Sequence, residues 1–146
     1  MKSRQNPIIV ETQFNNSKKA VWSAITQLNK MHQWYFDNIP NFKPEIGFET
    51  SFLVQVEDRK YTHLWKVTEV IPYEKITYEW RYEEVPGLGI VTFELFEEEN
   101  MVRLKLTNEG LSSFPNDIPE FTEESCRAGW TYLITKSLVD YLNGNN

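Results

Sequence analysis

The chain has 146 residues, inside the span of roughly 100–200 usual for one domain, and its 40% apolar and 25% charged residues exclude wholesale disorder. Fifteen Lys and Arg against twenty-one Asp and Glu leave a net charge of -6. The longest basic cluster is Lys18-Lys19, so the concentrated positive field that nucleic acid or anionic lipid requires is missing.

Cys126 is the only cysteine, which leaves no intrachain disulfide and points to a reducing compartment. The start is polar through Pro7, and Ile8-Ile9-Val10 is too short an apolar run for a signal segment or membrane span. The expectation is a cytoplasmic protein with no membrane partner, either monomer or homodimer. No repeat or low-complexity tract divides the chain, so residues 1–146 read as a single domain.

From Ile8 to Asn15, Ile8, Val10 and Phe14 share one parity, which predicts a half-buried strand. Asn15-Asn16-Ser17 offers helix caps. Val21, Ala24, Ile25 and Leu28 then recur at helical spacing, and a second short helix is predicted to reach Trp34. Phe36 to Gly47, with Pro40 and Pro44, reads as loop. Five strands follow: Phe48–Glu57, Tyr61–Ile71, Lys75–Glu83, Leu88–Glu97 and Met101–Glu109. Their expected turns fall at Asp58-Arg59-Lys60, Pro72-Tyr73-Glu74, Pro86-Gly87 and Glu98-Glu99-Asn100. Short connections favour an antiparallel meander.

Asp117 and Glu120 form a variant capping box around Pro119, predicting a helix from about Glu120 to Leu142. Its apolar side carries Trp130, Leu133, Ile134, Leu138, Tyr141 and Leu142. Only this helix is long enough to cover the sheet. The predicted class is α+β: a curved antiparallel sheet of about six strands around a long C-terminal helix, with two short helices after the first strand.

This order resembles the SRPBCC superfamily, the START-like helix-grip fold. Within it the chain is similar to the C-terminal-domain-like family of activators of the ninety-kilodalton heat-shock protein ATPase. The resemblance rests on Val21-Trp22-Ser23-Ala24-Ile25-Thr26, Gln33-Trp34-Tyr35-Phe36, Lys75-Ile76-Thr77-Tyr78-Glu79-Trp80 and Gly129-Trp130 with Tyr141-Leu142. It implies a cavity between sheet and helix, often holding an apolar ligand, and in some members a chaperone partner. It supplies no shared catalytic residue and no cofactor.

Aromatic residues reach 14%, and two readings compete for them: a packed core or the wall of a pocket. Under the pocket reading the candidate ligand-binding residues are Trp34, Phe36, Phe52, Trp65, Val67, Tyr78, Trp80, Phe93, Leu106, Cys126, Trp130 and Leu133. Trp N–H and Tyr O–H suit such a wall, because they orient a ligand that the rings otherwise hold by area alone. His63 and Glu69 share strand parity with Trp65 and Val67 and are candidate acid–base groups flanking the cavity; a bulge between Leu64 and Val70 would break that parity. Two distant histidines and one cysteine make no metal site. Gly87-Leu88-Gly89 lacks the rest of a dinucleotide fingerprint. The loops Phe36–Gly47 and Leu111–Pro119 each carry Phe and Pro and are candidate rims of the cavity mouth. The expected function is binding of a small apolar or aromatic, lipid-like molecule. The alternatives are a co-chaperone-like module that stimulates an ATPase and an enzyme acting on a hydrophobic substrate in the cavity.

Overall fold

The alternating strands find their partners in a single sheet. A computed structural model describes residues 7–115 and 117–144. It holds β1 (Ile8–Phe14), α1 (Lys18–Thr26), α2 (Leu28–Trp34), β2 (Glu49–Val56), β3 (Arg59–Ile71), β4 (Lys75–Tyr82), β5 (Val85–Glu98) and β6 (Met101–Glu109). Two 3-10 turns, Leu111–Ser113 and Pro119–Phe121, lead into the C-terminal helix. That helix runs as α3 (Glu123–Tyr132), a π-helical segment (Leu133–Ser137) and α4 (Leu138–Gly144). The strand order is β1-β6-β5-β4-β3-β2, every pair antiparallel. β2 to β6 form the expected meander, and β1 closes on β6.

One face of the sheet is apolar because the predicted alternation holds along its centre. Val91, Phe93 and Leu95 of β5 and Val102, Leu104 and Leu106 of β6 are all buried. The C-terminal helix lays Trp130, Ile134, Leu138 and Leu142 against this face. Ser17 caps α1, its Oγ accepting from the Ala20 N–H at 3.0 Å, which satisfies one of the helix's orphan donors. Trp34 Nε1 donates to the Ala24 carbonyl at 2.7 Å, pinning α2 to α1. Ser137 Oγ donates to the Trp34 carbonyl at 2.7 Å, tying α2 to the C-terminal helix.

Three local expectations are corrected. The β2–β3 turn is Glu57-Asp58, because Val56 already pairs with Arg59. The β4–β5 turn is Glu83-Glu84, not Pro86-Gly87, since Tyr82 pairs with Val85. Glu84 holds that turn by accepting from the Thr62 N–H and Oγ1, both at 2.7 Å. Pro86 therefore falls at the start of β5, where a missing N–H is tolerated. Gly87 has φ +129, and a Cβ there would run into the Phe114 ring. The glycines of β5 thus form a shelf on which Phe114 sits.

The third correction is the helix start. Thr122 is the cap, its Oγ1 accepting from the Ser125 N–H at 3.2 Å. The Asp117–Glu120 capping box does not form, because the Glu120 carboxylate is committed elsewhere: Arg59 Nε donates to both of its oxygens, at 3.1 and 3.0 Å.

Candidate functional site

A hollow of about 360 Å³ lies between the sheet and the N-terminal half of the C-terminal helix. Phe36, Trp80 and Tyr82 form its inner wall, Cys126, Trp130 and Leu133 its helix side, and Leu111, Phe114 and Phe121 its cover. Ser125, Gly129 and Tyr132 lie at the exposed rim. At the share of liquid volume each water takes, about 30 Å³, the space holds about twelve waters.

The cover is the segment between β6 and α3. It reaches the pocket because its aromatic rings have flat partners. Phe121 stacks on Tyr82 with ring centroids 4.7 Å apart and meets Phe114 at 5.5 Å. Ser113 Oγ accepts from the Leu88 N–H at 2.8 Å, fixing one end. The Arg59–Glu120 ion pair fixes the other, with Tyr61 Oη also donating to Glu120 at 3.4 Å. Arg59's hydrogen bonds hold the Glu120 carboxyl below its ordinary pKa, so this anchor stays ionised at neutral pH.

Five of the twelve residues expected from the sequence line the hollow: Phe36, Trp80, Cys126, Trp130 and Leu133. The other seven pack elsewhere in the core. Trp34 is spent on the α1–α2 contact. Phe52 meets Trp65 edge-on at 4.9 Å, and Trp65 meets Tyr78 at 4.8 Å. Val67, Phe93 and Leu106 are fully buried in the core cluster. Tyr78 Oη shares a 2.8 Å hydrogen bond with Tyr35 Oη, and burial raises both phenols' pKa values. Tyr82, Asn108, Phe121, Ser125 and Gly129 were missed by the sequence reading of the site, although Tyr82 shows the same parity as Trp80.

His63 is buried against Phe36, Phe52, Trp80 and Tyr82, with ring centroids 4.8 to 5.6 Å away. Desolvation lowers its pKa from 6.5 to about 4, so it is neutral at pH 7. Its Nδ1 lies 3.3 Å from the Tyr61 carbonyl, a contact that places the proton on Nδ1 and leaves Nε2 as acceptor. Glu69 is not beside it. The register shifts between Val67 and Glu69, so Glu69 pairs with the outward Thr77 and bonds Lys75 at 3.2 Å on the outer face.

Burial raises the Cys126 thiol from 9.0 to about 11, the reverse of what a nucleophile needs. Trp130 Nε1 donates to Asn108 Oδ1 at 3.1 Å. A second concavity, of about 560 Å³, lies on the outer face over Glu49, Ser51, Leu64, Lys66, Glu79 and Arg81. It is larger, but its acids and bases balance and Trp65 is its single aromatic residue, so the aromatic-walled hollow beneath the helix is the stronger candidate. Among the described residues no three His, Cys, Asp or Glu side chains are grouped to hold a metal, and no helix is long and apolar enough to cross a membrane.

Residues 15–143 match the family described as Activator of Hsp90 ATPase homolog 1-like protein. No curated protein matches the chain in sequence. Among solved structures it is similar to protein MLL2253 from Mesorhizobium loti, at 19% identity and a TM-score of 0.75, covering 97% of this chain and 99% of that one. It is similar to the Aha1 dimer from Colwellia psychrerythraea, at 17% identity and a TM-score of 0.71, covering 97% and 100%. DynU16, from the dynemicin biosynthetic locus, is 20% identical with a TM-score of 0.73, covering 96% of this chain but 48% of that one. The chain thus spans about half the length of DynU16. At these identities the likenesses establish a shared fold.

Proposed function

This chain belongs to the Activator of Hsp90 ATPase homolog 1-like family, and we propose that it is a binding domain for a small apolar or aromatic molecule. The observation that carries this reading is the 360 Å³ hollow walled by Phe36, Trp80, Tyr82, Phe114, Phe121 and Trp130. Water in that space faces an aromatic lining with which it makes few hydrogen bonds. An apolar ligand that displaced it would remove that surface from water. The catalytic alternative loses its sequence candidates: His63 is neutral inside an aromatic cage and Glu69 is on the other face.

The test is a thermal-shift screen with sterols, fatty acids, flavonoids and polycyclic aromatics. A ligand at a hundred times its Kd stabilises by about 2.7 kcal/mol, a rise of about 9 °C in Tm for a domain of this size. A panel with no shift refutes the reading. The family's description also supports a second reading, contact with a chaperone. It predicts that the purified chain raises the chaperone's ATPase rate, and that filling the hollow leaves this effect intact.

A further inference from the structure

We propose that the open side of the hollow and its acidic rim form a docking groove for a basic amphipathic helix of another protein. The partner's apolar side chains would enter the groove while its Lys and Arg meet the rim. The inference goes beyond the small-molecule reading, and the two fail separately.

Shape comes first. The hollow is a half-open groove along α3. Ser125 and Leu133 mark its helix side, separated along the axis by about 12 Å at 1.5 Å per residue, which is about two turns of a second helix. A helix suits the open side, because it brings its own polar back and needs cover only for its apolar stripe. Tyr132 at the rim is 59% exposed, the most exposed large aromatic side chain among the described residues. Tyr is enriched at interfaces because its ring buries area while its hydroxyl stays wet. Gly129, beside it, faces open space. Glycine inside a helix is destabilising, and nothing in this chain packs into the gap it leaves. An incoming helix would.

Charge selects the occupant. Glu57 and Asp58 form the turn directly after the lining residue Val56, with side chains 78% and 95% exposed. Glu120 also lines the hollow, and Glu124 stands exposed next to Ser125. The base among them is Arg59. It is committed to Glu120 by two short contacts and reaches Glu57 and Asp58 only at 3.7 and 4.0 Å. Lys60 turns to the outer face, opposite the inward Tyr61 in the strand alternation. Along the helix, Glu123 with Arg127 and Lys136 with Asp140 cancel in pairs at 3.0 and 2.8 Å. Four acids against one base leave three negative charges at the mouth, half of the chain's net -6.

That field attracts Lys and Arg and repels nucleic acid or an anionic lipid surface. It also repels a second copy. The longest basic cluster of this chain is Lys18-Lys19, and its long helix is already buried against its own sheet. The occupant that fits both the groove and its rim is therefore a helix with one apolar face and basic flanks, carried by a different chain.

The experiment uses three synthetic peptides of about five helical turns: a Leu/Lys helix with its leucines on one face, a scramble of the same composition, and the Leu/Glu counterpart. Binding of each labelled peptide to the full chain at about 0.15 M salt is followed by fluorescence anisotropy. The Leu/Lys helix should bind at least about tenfold tighter than the other two. Glu57→Gln with Asp58→Asn should weaken it about threefold or more, as two exposed charges allow, and Gly129→Phe by about tenfold. Glu97→Gln with Glu99→Gln makes the same charge change at the far end of β5. Those residues lie about 30 Å along the strand from Gly89, beyond the screening length, so that pair should leave affinity within about twofold. The proposal is overturned if the scramble or the Leu/Glu helix binds as tightly, if the distant pair weakens binding as much as the rim pair, or if Gly129→Phe binds normally. It is overturned equally if the Leu/Lys helix does not bind up to about 1 mM; a small molecule that still shifts Tm then leaves the binding-domain reading standing. Light scattering of the chain alone should give a mass that Gly129→Phe does not change. A dimer that the variant splits would assign the groove to a second copy and overturn the proposal too.

Discussion

Gly129 offers the most direct separation of pocket from core. It lies on α3 at the rim of the hollow, and a Cβ built there meets nothing within 4 Å. Gly129→Ala removes a helix-interior glycine without a clash, and should stabilise by about 0.8–1.0 kcal/mol. For 146 residues the unfolding entropy is about 0.3 kcal/mol/K, so Tm should rise by about 3 °C. Gly129→Phe places a ring where a ligand would enter. Phe is a poorer helix former than Ala, so the gain shrinks to a few tenths of a kcal/mol, but the mouth is obstructed. Calorimetry of both variants, with a titration of a ligand found by the thermal screen, checks the pair. The expected outcome is an unimpaired fold with binding at least about tenfold weaker in Gly129→Phe. A Phe variant destabilised by more than about 1 kcal/mol would mean the space is not there. One that binds normally would mean ligands enter elsewhere.

Burial of His63 makes stability depend on pH. Its pKa falls from 6.5 to about 4 on folding, so the unfolded chain binds the extra proton, and stability is lost as pH falls from 6.5 toward 4. The group alone should cost about 2 kcal/mol between pH 7 and pH 5; urea midpoints of the natural protein and His63→Phe at the two pH values check this, and equal slopes would refute it. Cys126, with its pKa pushed up to about 11, should react with iodoacetamide about a hundredfold slower at pH 8 than a thiol of pKa 9, as read by mass spectrometry; labelling within tenfold of such a thiol would show the site to be open. Leu106 is fully buried, so Leu106→Ala should cost about 2–5 kcal/mol. Leu133, half-buried on the wall of the hollow, should cost less than about 2 kcal/mol as Ala while changing ligand affinity.

The sequence makes the architecture legible and the hollow only partly so, for one geometric reason. Strand parity reports which face a side chain takes, not whether the helix presses on it. Phe93 and Leu106 share a face with Trp80, but both are fully buried in the packed core, Phe93 against Trp130 at 6.1 Å. Trp80 lies one step further along the sheet, where the lining stays open. Parity itself fails at the bulge between Val67 and Glu69, which sends Glu69 outward; the register shift between Trp80 and Tyr82 is taken up by the extra residues of β5, so both side chains still line the hollow. Glu120 was legible as a helix-start charge, yet its partner Arg59 is sixty-one residues away, and no local pattern reports that pairing. The Phe114 seat was within reach. Gly87 and Gly89 flank Leu88 in β5 where side chains are expected, and a close approach by another group is the ordinary reason for such gaps.

The π-helical segment has a cause written in the spacing of the buried residues. Trp130, Ile134, Leu138 and Leu142 recur every four residues and are all buried. In an α-helix of 3.6 residues per turn, a four-residue step overshoots a full turn by about 40°. Three such steps would rotate Leu142 about 120° away from the line of Trp130, off the sheet. The wider turn at Leu133–Ser137 takes up part of that excess and returns the stripe to the sheet. The same widening begins at Leu133, a wall of the hollow, and ends at Ser137, whose hydroxyl bonds the Trp34 carbonyl. One irregularity therefore seats α4 on the core and sets the position of the helix along the pocket. It also places the widened turn, of a kind often found at functional sites, at the end of the site that the aromatic lining marks out.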